Sequence, residues 1–418
     1  MEGYTNEVVE DCGAACASIK ILHLIIDSRF FDFTYKVLQE VEGVENRYVA
    51  LVGEHVRQFN HIGNIPLWRV AGAEYAGTPQ VTEDLEWCNV LVVHWWHTAA
   101  ASVVAKAPDS VVVVWSGWGG DYYDLLPGGE VSLYGDRTKE LFQQMQLQQM
   151  QGTRKEAIRK GLRRLKKVIK CALWRANNQA VADKSLLIER VDYFSAPIPD
   201  DYQLLKNALG TKFRAEYVQL NYASVEETFK HTEGGYSGND ILLGNSATET
   251  NNHLEVLDML STIDIGDRKV IVPLSYGTQS YGDEIEKFGR RLLGKKFVPI
   301  RNLMPLEQYN LLITNCSIAI MNHRRQQAIG NIGTMLYHGA KIFLDEKSVV
   351  YKFLKRKGAY VFSVREIAEC GSAAFIPLSN SEKERNIEVI NQVWGHDTVI
   401  DNVHKFVDRM QKSMATHA

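Results

Sequence analysis

The sequence predicts an α/β protein made of two doubly wound, Rossmann-like domains that face each other across a cleft. Three observations predict it. The chain has 418 residues, and at roughly 100–200 residues per domain that suggests more than one unit. Short apolar runs recur in both halves, separated by segments of helical period. The runs are continuous rather than alternating, as expected of strands covered on both faces of a parallel sheet.

In the first half the predicted strands are 19–26 (IKILHLII), 48–52, 89–93 and 111–115 (VVVVW), with a helix over 32–42. In the second half they are 240–243, 269–274, 296–300, 317–321 and 341–344, with helices over 253–260, 282–293, 306–315 and 333–338. The domains are therefore expected at 19–230 and 231–385, meeting near the polar, glycine-rich TEGGYSGND stretch. Residues 1–18 read as a mobile extension. A last helix, about 387–410 within the segment 386–418, is expected to return to the first domain.

Composition narrows the function classes. Hydrophobic residues make up 45% and charged residues 23%, values of a soluble globular protein. The acidic first residues lack the basic and apolar regions of a signal peptide. No apolar run approaches the roughly 18 residues of a membrane span. The six cysteines form no CxxC pair and none has zinc-finger spacing to a histidine, a pattern of reduced cytoplasmic thiols. No P-loop is present, and no dinucleotide fingerprint follows the first strand.

One segment departs from this balance. Residues 154–175 hold ten Lys or Arg against one acid, Glu156, while the net charge of the chain is -3. Ile158, Leu162, Leu165, Ile169 and Leu173 form one helical stripe, and Arg159, Lys160, Arg163, Arg164, Lys166, Lys167 and Lys170 take the other faces. This is the pattern of an amphipathic helix lying on an anionic membrane surface. A helix packed on the domain by its apolar stripe is the other reading. No aromatic stacking platform accompanies the charge, so nucleic acid is not an expected partner.

Ligands of doubly wound domains bind beyond the carboxyl ends of the strands. After strand 240–243 come Gly244, Asn245 and Ser246, then Asn252 and His253 at a helix start whose free amides suit a phosphate. Tyr276 follows the next strand. After 317–321 the chain reads MNHRRQQAIGNIGT. Here Arg324, Arg325, Gln326, Gln327, Gly330, Asn331, Gly333 and Thr334 are the residues expected to cradle a diphosphate, with the arginine fork as its specific ligand. In the first half, WSGWGGDYY follows VVVVW and places Asp121 beside glycines and aromatics. Asp121 is the preferred general base, with His94 and Asp27 the other strand-end candidates. A helix-capping role for Asp121 and a structural role for His94 stand beside these readings.

Three stretches together resemble one family. WSGWGGDYYDLL, ILLGNSATETNNHLEVL and RRQQAIGNIGTMLYHGAKIFL are similar to motifs of the TDP-N-acetylfucosamine:lipid II N-acetylfucosaminyltransferases, the 4-alpha-L-fucosyltransferase-like glycosyltransferase family 56. The resemblance spans roughly residues 19 to 364 and is weaker in the first half. It implies the GT-B fold and transfer of a sugar such as N-acetylfucosamine from a TDP-type nucleotide diphosphate sugar to an undecaprenyl-diphosphate-linked saccharide. It also implies a cytoplasmic enzyme peripheral to the inner membrane. Glu307, in LMPLEQYNLL, matches an acidic position before the family's cleft helix and is expected to bond the donor. The chain departs from the family by an insertion around Arg324 and the Gly-Asn-Ile-Gly turn, and by its Gln-rich stretch before 154.

No DxD element stands at a strand end, so no metal or other cofactor is expected. Charge on the leaving diphosphate then falls to Arg324, Arg325 and the turn at Gly330–Thr334. The alternatives are a GT-B transferase with another donor or a protein acceptor, and a non-catalytic nucleotide-sugar-binding protein of polysaccharide assembly. Oligomeric state is not legible.

Overall fold

A computed structural model describes residues 18–28, 30–52, 59, 62–63, 65–147, 184–221, 224–228, 236 and 238–417. The extension 1–17, part of the glycine-rich junction and the whole basic segment 154–175, with its seven membrane-contact candidates, lie outside the described residues.

The first domain is built on strands β1 (Ile19–Ile25), β2 (Val44–Leu51), β3 (Arg69–Ala71), β4 (Val90–His94), β5 (Val112–Ser116), β6 (Tyr193–Ser195) and β7 (Glu216–Tyr217). Their order is β3-β2-β1-β4-β5-β6-β7, and every pair is parallel. The second domain has β8 (Asp240–Leu243), β9 (Val270–Pro273), β10 (Phe297–Ile300), β11 (Cys316–Met321), β12 (Lys341–Leu344) and β13 (Phe362–Ser363) in the order β10-β9-β8-β11-β12-β13, again all parallel. The strand order of each sheet therefore reverses once, between β1 and β4 and between β8 and β11. Such reversal points are where open α/β sheets bind ligands.

The continuous apolar runs explain the strands. All five residues of β5 are buried, as are all five of β4. Helices cover both faces and close separate cores above and below each sheet. The edge strands β3, β7 and β13, and β6 next to one edge, have only two or three residues each and are absent from the sequence expectation.

The predicted helix 387–410 is two helices, Asn380–Trp394 and His396–His417, broken at Gly395. The first packs Val389, Ile390 and Trp394 into the second domain's core. The second lays Val399, Val403, Phe406 and Met410 under β1, β4 and β5 of the first domain. Among the described residues no helix is long and apolar enough to cross a membrane.

The domains are stitched together. Asn252 accepts from the Gly135 amide at 2.8 Å and donates to the carbonyl oxygens of Leu133 and Asn322. Glu255 accepts from the Thr138 amide and hydroxyl, and Arg137 pairs with Asp258 at 2.7 Å. Helical residues 136–147, first-half by sequence, send Leu141 into the second domain's core.

Candidate active site

The second domain's site is organised by its two strand-end loops. Gly244 has φ +67, and a Cβ there would fall 2.6 Å from Nε2 of His253 and 2.7 Å from Oδ1 of Asn251. Only glycine meets both conditions. Asn251, fully buried, accepts from the Asn245 amide and donates to the carbonyl oxygens of Ser246 and Thr248. Its Oδ1 also meets His323 Nε2 at 2.7 Å, locking the β8 loop to the β11 loop. Asn245 is left half-exposed, with its amide nitrogen donating to the Tyr276 hydroxyl.

Gln327 connects this loop to an arginine. Its Nε2 donates to Asn245 Oδ1 at 2.8 Å, while its Oε1 accepts from Thr250 and from Nε of Arg325. Arg325 is thereby held by one edge of its guanidinium. Burial lowers its pKa from the ordinary arginine value, and Glu130 acts on its charge without forming an ion pair. Among the described residues no carboxylate pairs with it, and a partly desolvated, unpaired guanidinium is suited to an anion. The helix Ile329–Tyr337 begins immediately after, at Ala328, which holds a left-handed φ of +59. Its first amides carry the positive end of the helix dipole.

Several predicted donor ligands do something else. Gly330, Asn331, Gly333 and Thr334 are not a turn but the first two turns of that helix; Gly333 and Thr334 are buried, and Asn331 donates to the Tyr309 hydroxyl. Arg324 is committed, with Nε paired to Asp345 and Nη1 donating across the domains to the Tyr134 carbonyl at 2.7 Å. Asn252 is the interdomain fastener described above. His253 is fully buried against Gly244, and burial pushes its pKa down to about 3, so the ring is neutral. Ser246 and Gln326 are buried, and the Gln326 amide donates to the Tyr123 hydroxyl of the first domain. Glu307 is exposed in the first turn of the helix Leu306–Ile313, two residues before Tyr309. Gly244, Asn245, Tyr276, Arg325 and Gln327 are the predicted residues that the fold brings into one group.

The base candidates separate by burial. Asp121 is 3% exposed and accepts three hydrogen bonds: Oδ2 from the Trp96 amide and Trp115 indole, Oδ1 from the Trp118 amide. Burial raises its pKa against the pull of those donors. It buckles the β4 and β5 loops together, which corrects the expectation that it faces the cleft as a base. His94 is sealed as well. It meets His23 at 3.0 Å, His23 meets Asn46, and burial first, then His23, pushes the His94 pKa well below the ordinary value. Asp27, just past β1 at the reversal point, is half-exposed and accepts from the Ile62 amide at 3.0 Å.

Sequence reasoning missed Trp95 and Asp201 as residues of interest, and named Asn251 and Tyr123 only as a helix cap and an aromatic of the strand-end loop. Asp201 is fully buried, accepts from the hydroxyls of Tyr122 and Tyr123, and has its pKa pushed up to about 7 by desolvation. Aspartate in a PDD run reads as a helix start, so nothing local could have marked it. Among the described residues no group of side chains could hold a metal ion.

Solved structures share this architecture along nearly the whole chain. The Candida albicans trehalose-6-phosphate phosphatase amino-terminal domain matches with a TM-score of 0.60 at 10% identity, covering 97% of this chain and 98% of that one. A Rickettsia africae glycosyltransferase matches at 0.57 and 9%, covering 94% and 99%. Anabaena HepE, solved with UDP and glucose, matches at 0.55 and 11%, covering 94% and 100%. The chain has the GT-B fold of these structures, with two doubly wound parallel α/β sheets. The family model of the 4-alpha-L-fucosyltransferase glycosyl transferase group 56 matches residues 218–369, most of the second domain.

Proposed function

We propose that the chain transfers an N-acetylated deoxy sugar such as N-acetylfucosamine from a TDP-type donor to an undecaprenyl-diphosphate-linked saccharide, at the cytoplasmic face of the inner membrane. The observation that carries the donor side is Arg325, held by Gln327 at the second domain's reversal point and facing the first domain's loops. HepE holds UDP in its structure, which supports a nucleoside diphosphate here. Arg325 and the opening amides of Ile329–Tyr337 bind the diphosphate and stabilise the charge that grows on it as it leaves, without a metal. Tyr276 and Asn245, hydrogen-bonded to each other, take the rest of the donor, and Glu307 is the acidic residue proposed to bond it.

Asp27 is the general base in this reading. Of the three strand-end candidates it alone is half-exposed, and it stands at the first domain's reversal point. It removes the acceptor hydroxyl proton as the oxygen attacks the anomeric carbon. The basic, amphipathic sequence of 154–175 supports a lipid-linked acceptor, because each Lys or Arg near an anionic surface adds about 1 kcal/mol of attraction. The test is flotation with liposomes of phosphatidylglycerol and phosphatidylethanolamine against neutral liposomes. Binding to the anionic vesicles that is lost at high salt is expected; no binding to either rules out the membrane-surface reading.

A further inference from the structure

We infer that Trp95, with Trp118 at its edge, is the platform on which the reacting pyranose of the acceptor stacks; this rests on reading the cleft as the transfer site. Trp95 directly follows β4, at the reversal point of the first sheet, where Asp27 stands just past the end of the neighbouring β1. Its φ is +65, one of three left-handed non-glycine positions among the described residues. A bulky side chain held there strains the backbone, and such strain persists where the surrounding structure or function holds it. Core burial does not repay it: Trp95 belongs to none of the hydrophobic clusters and is half-exposed, whereas its neighbour Trp96 is buried in one.

Its surroundings say what it serves. Trp118 stands edge-on to it, with ring centroids 6.2 Å apart at 78°. A side chain on the exposed Gly120 would collide with the Trp95 ring, and its Cβ would lie 3.3 Å from Nη1 of Arg325. The bare Gly120 backbone therefore lets an indole of the first domain and a guanidinium of the second pack against one position. The guanidinium suits the donor phosphates. The indole suits the C–H face of a pyranose, whose weakly positive hydrogens meet the negative face of the ring. Asp121 acts through this element: by accepting from the Trp96 and Trp118 amides it fixes the loops that carry both indoles.

The experiment is saturation-transfer NMR on the full chain, using a set of methyl glycosides of hexoses and N-acetylhexosamines, with and without dTDP or UDP. Trp95→Gly is the variant of choice because it relieves the left-handed backbone, so its melting temperature is expected to match or exceed that of the parent. The expected result is saturation concentrated on one C–H face of at least one glycoside. In the variant it weakens by roughly tenfold or more, while nucleotide affinity stays the same. The inference is overturned if no glycoside saturates in the parent or if saturation survives Trp95→Gly. It is equally overturned if nucleotide affinity falls instead, which would make the indole a base platform. Arg325→Ala reports separately on the donor reading: it loses nucleotide binding and keeps glycoside saturation.

Discussion

Nε of Arg325 donates a 2.9 Å hydrogen bond to Oε1 of Gln327, whose own amide nitrogen donates to Asn245. The cation is thus oriented by a neutral amide, which leaves its charge for a ligand. Replacing Gln327 with Leu keeps the bulk and removes the anchor. Donor KM is expected to rise roughly tenfold, the cost of an unanchored charged hydrogen bond, with the melting temperature little changed. Steady-state kinetics across donor concentration checks this; an unchanged KM contradicts it.

Asp121 and Asp27 make opposite predictions. Asp121→Asn presents a donor where three donors already converge, so it is expected to destabilise the fold by about 2–4 kcal/mol. Asp27→Asn leaves urea stability nearly unchanged and lowers kcat by about a hundredfold or more. Paired urea melts and turnover measurements separate the two; a stable, inactive Asp121→Asn and an active Asp27→Asn would restore Asp121 as the base.

Gly244 answers to strain and space together. Gly244→Ala is expected to cost more than about 3 kcal/mol, because a left-handed Ala costs about 1–2 and its Cβ would meet His253 and Asn251. Gly294→Ala is the control: its φ is +55 and its Cβ would meet nothing within 4 Å, so only the conformational cost is expected. Equal melting temperatures for the two variants contradict the packing argument.

Asp201 predicts a pH dependence. Its pKa rises from 3.8 unfolded to about 7 folded, by desolvation against the Tyr122 and Tyr123 hydroxyls that pull it down. The groups acting on it are Tyr122, Tyr123, Asp200, Asp121 and Tyr217. The native state holds the proton longer, so this contribution is complete below pH 3.8 and is lost as pH rises to about 7. Over that window the parent is expected to lose at most about 4 kcal/mol relative to Asp201→Asn. Urea melts of both proteins from pH 4 to 8 read the difference; parallel profiles contradict it.

Most of the architecture was legible because parallel strands buried on both faces write themselves as unbroken apolar runs. Runs such as ILHLI and VVVVW fall on β1 and β5. Edge strands of two or three residues carry no such run. The donor loops were legible as glycines, amides and arginines after strands. What each residue does there was not. Arg324 and Arg325 are adjacent and chemically alike, yet one is spent on Asp345 and Tyr134 and the other faces the cleft. Asp121 looked like a base because an acid among glycines at a strand end looks exposed; its burial depends on Trp96 and Trp115, which only the fold brings together. The left-handed backbone at Trp95 has no sequence signature, since tryptophan is not a residue chosen for that conformation.

The donor diphosphate is read on Arg325, and calorimetric titration with dTDP, UDP and their parent nucleosides tests it most directly. For Arg325→Ala the account predicts a loss of roughly tenfold or more in nucleoside diphosphate affinity, the worth of a charge-assisted hydrogen bond pair, with nucleoside affinity unchanged. Equal diphosphate affinity in parent and variant would contradict it.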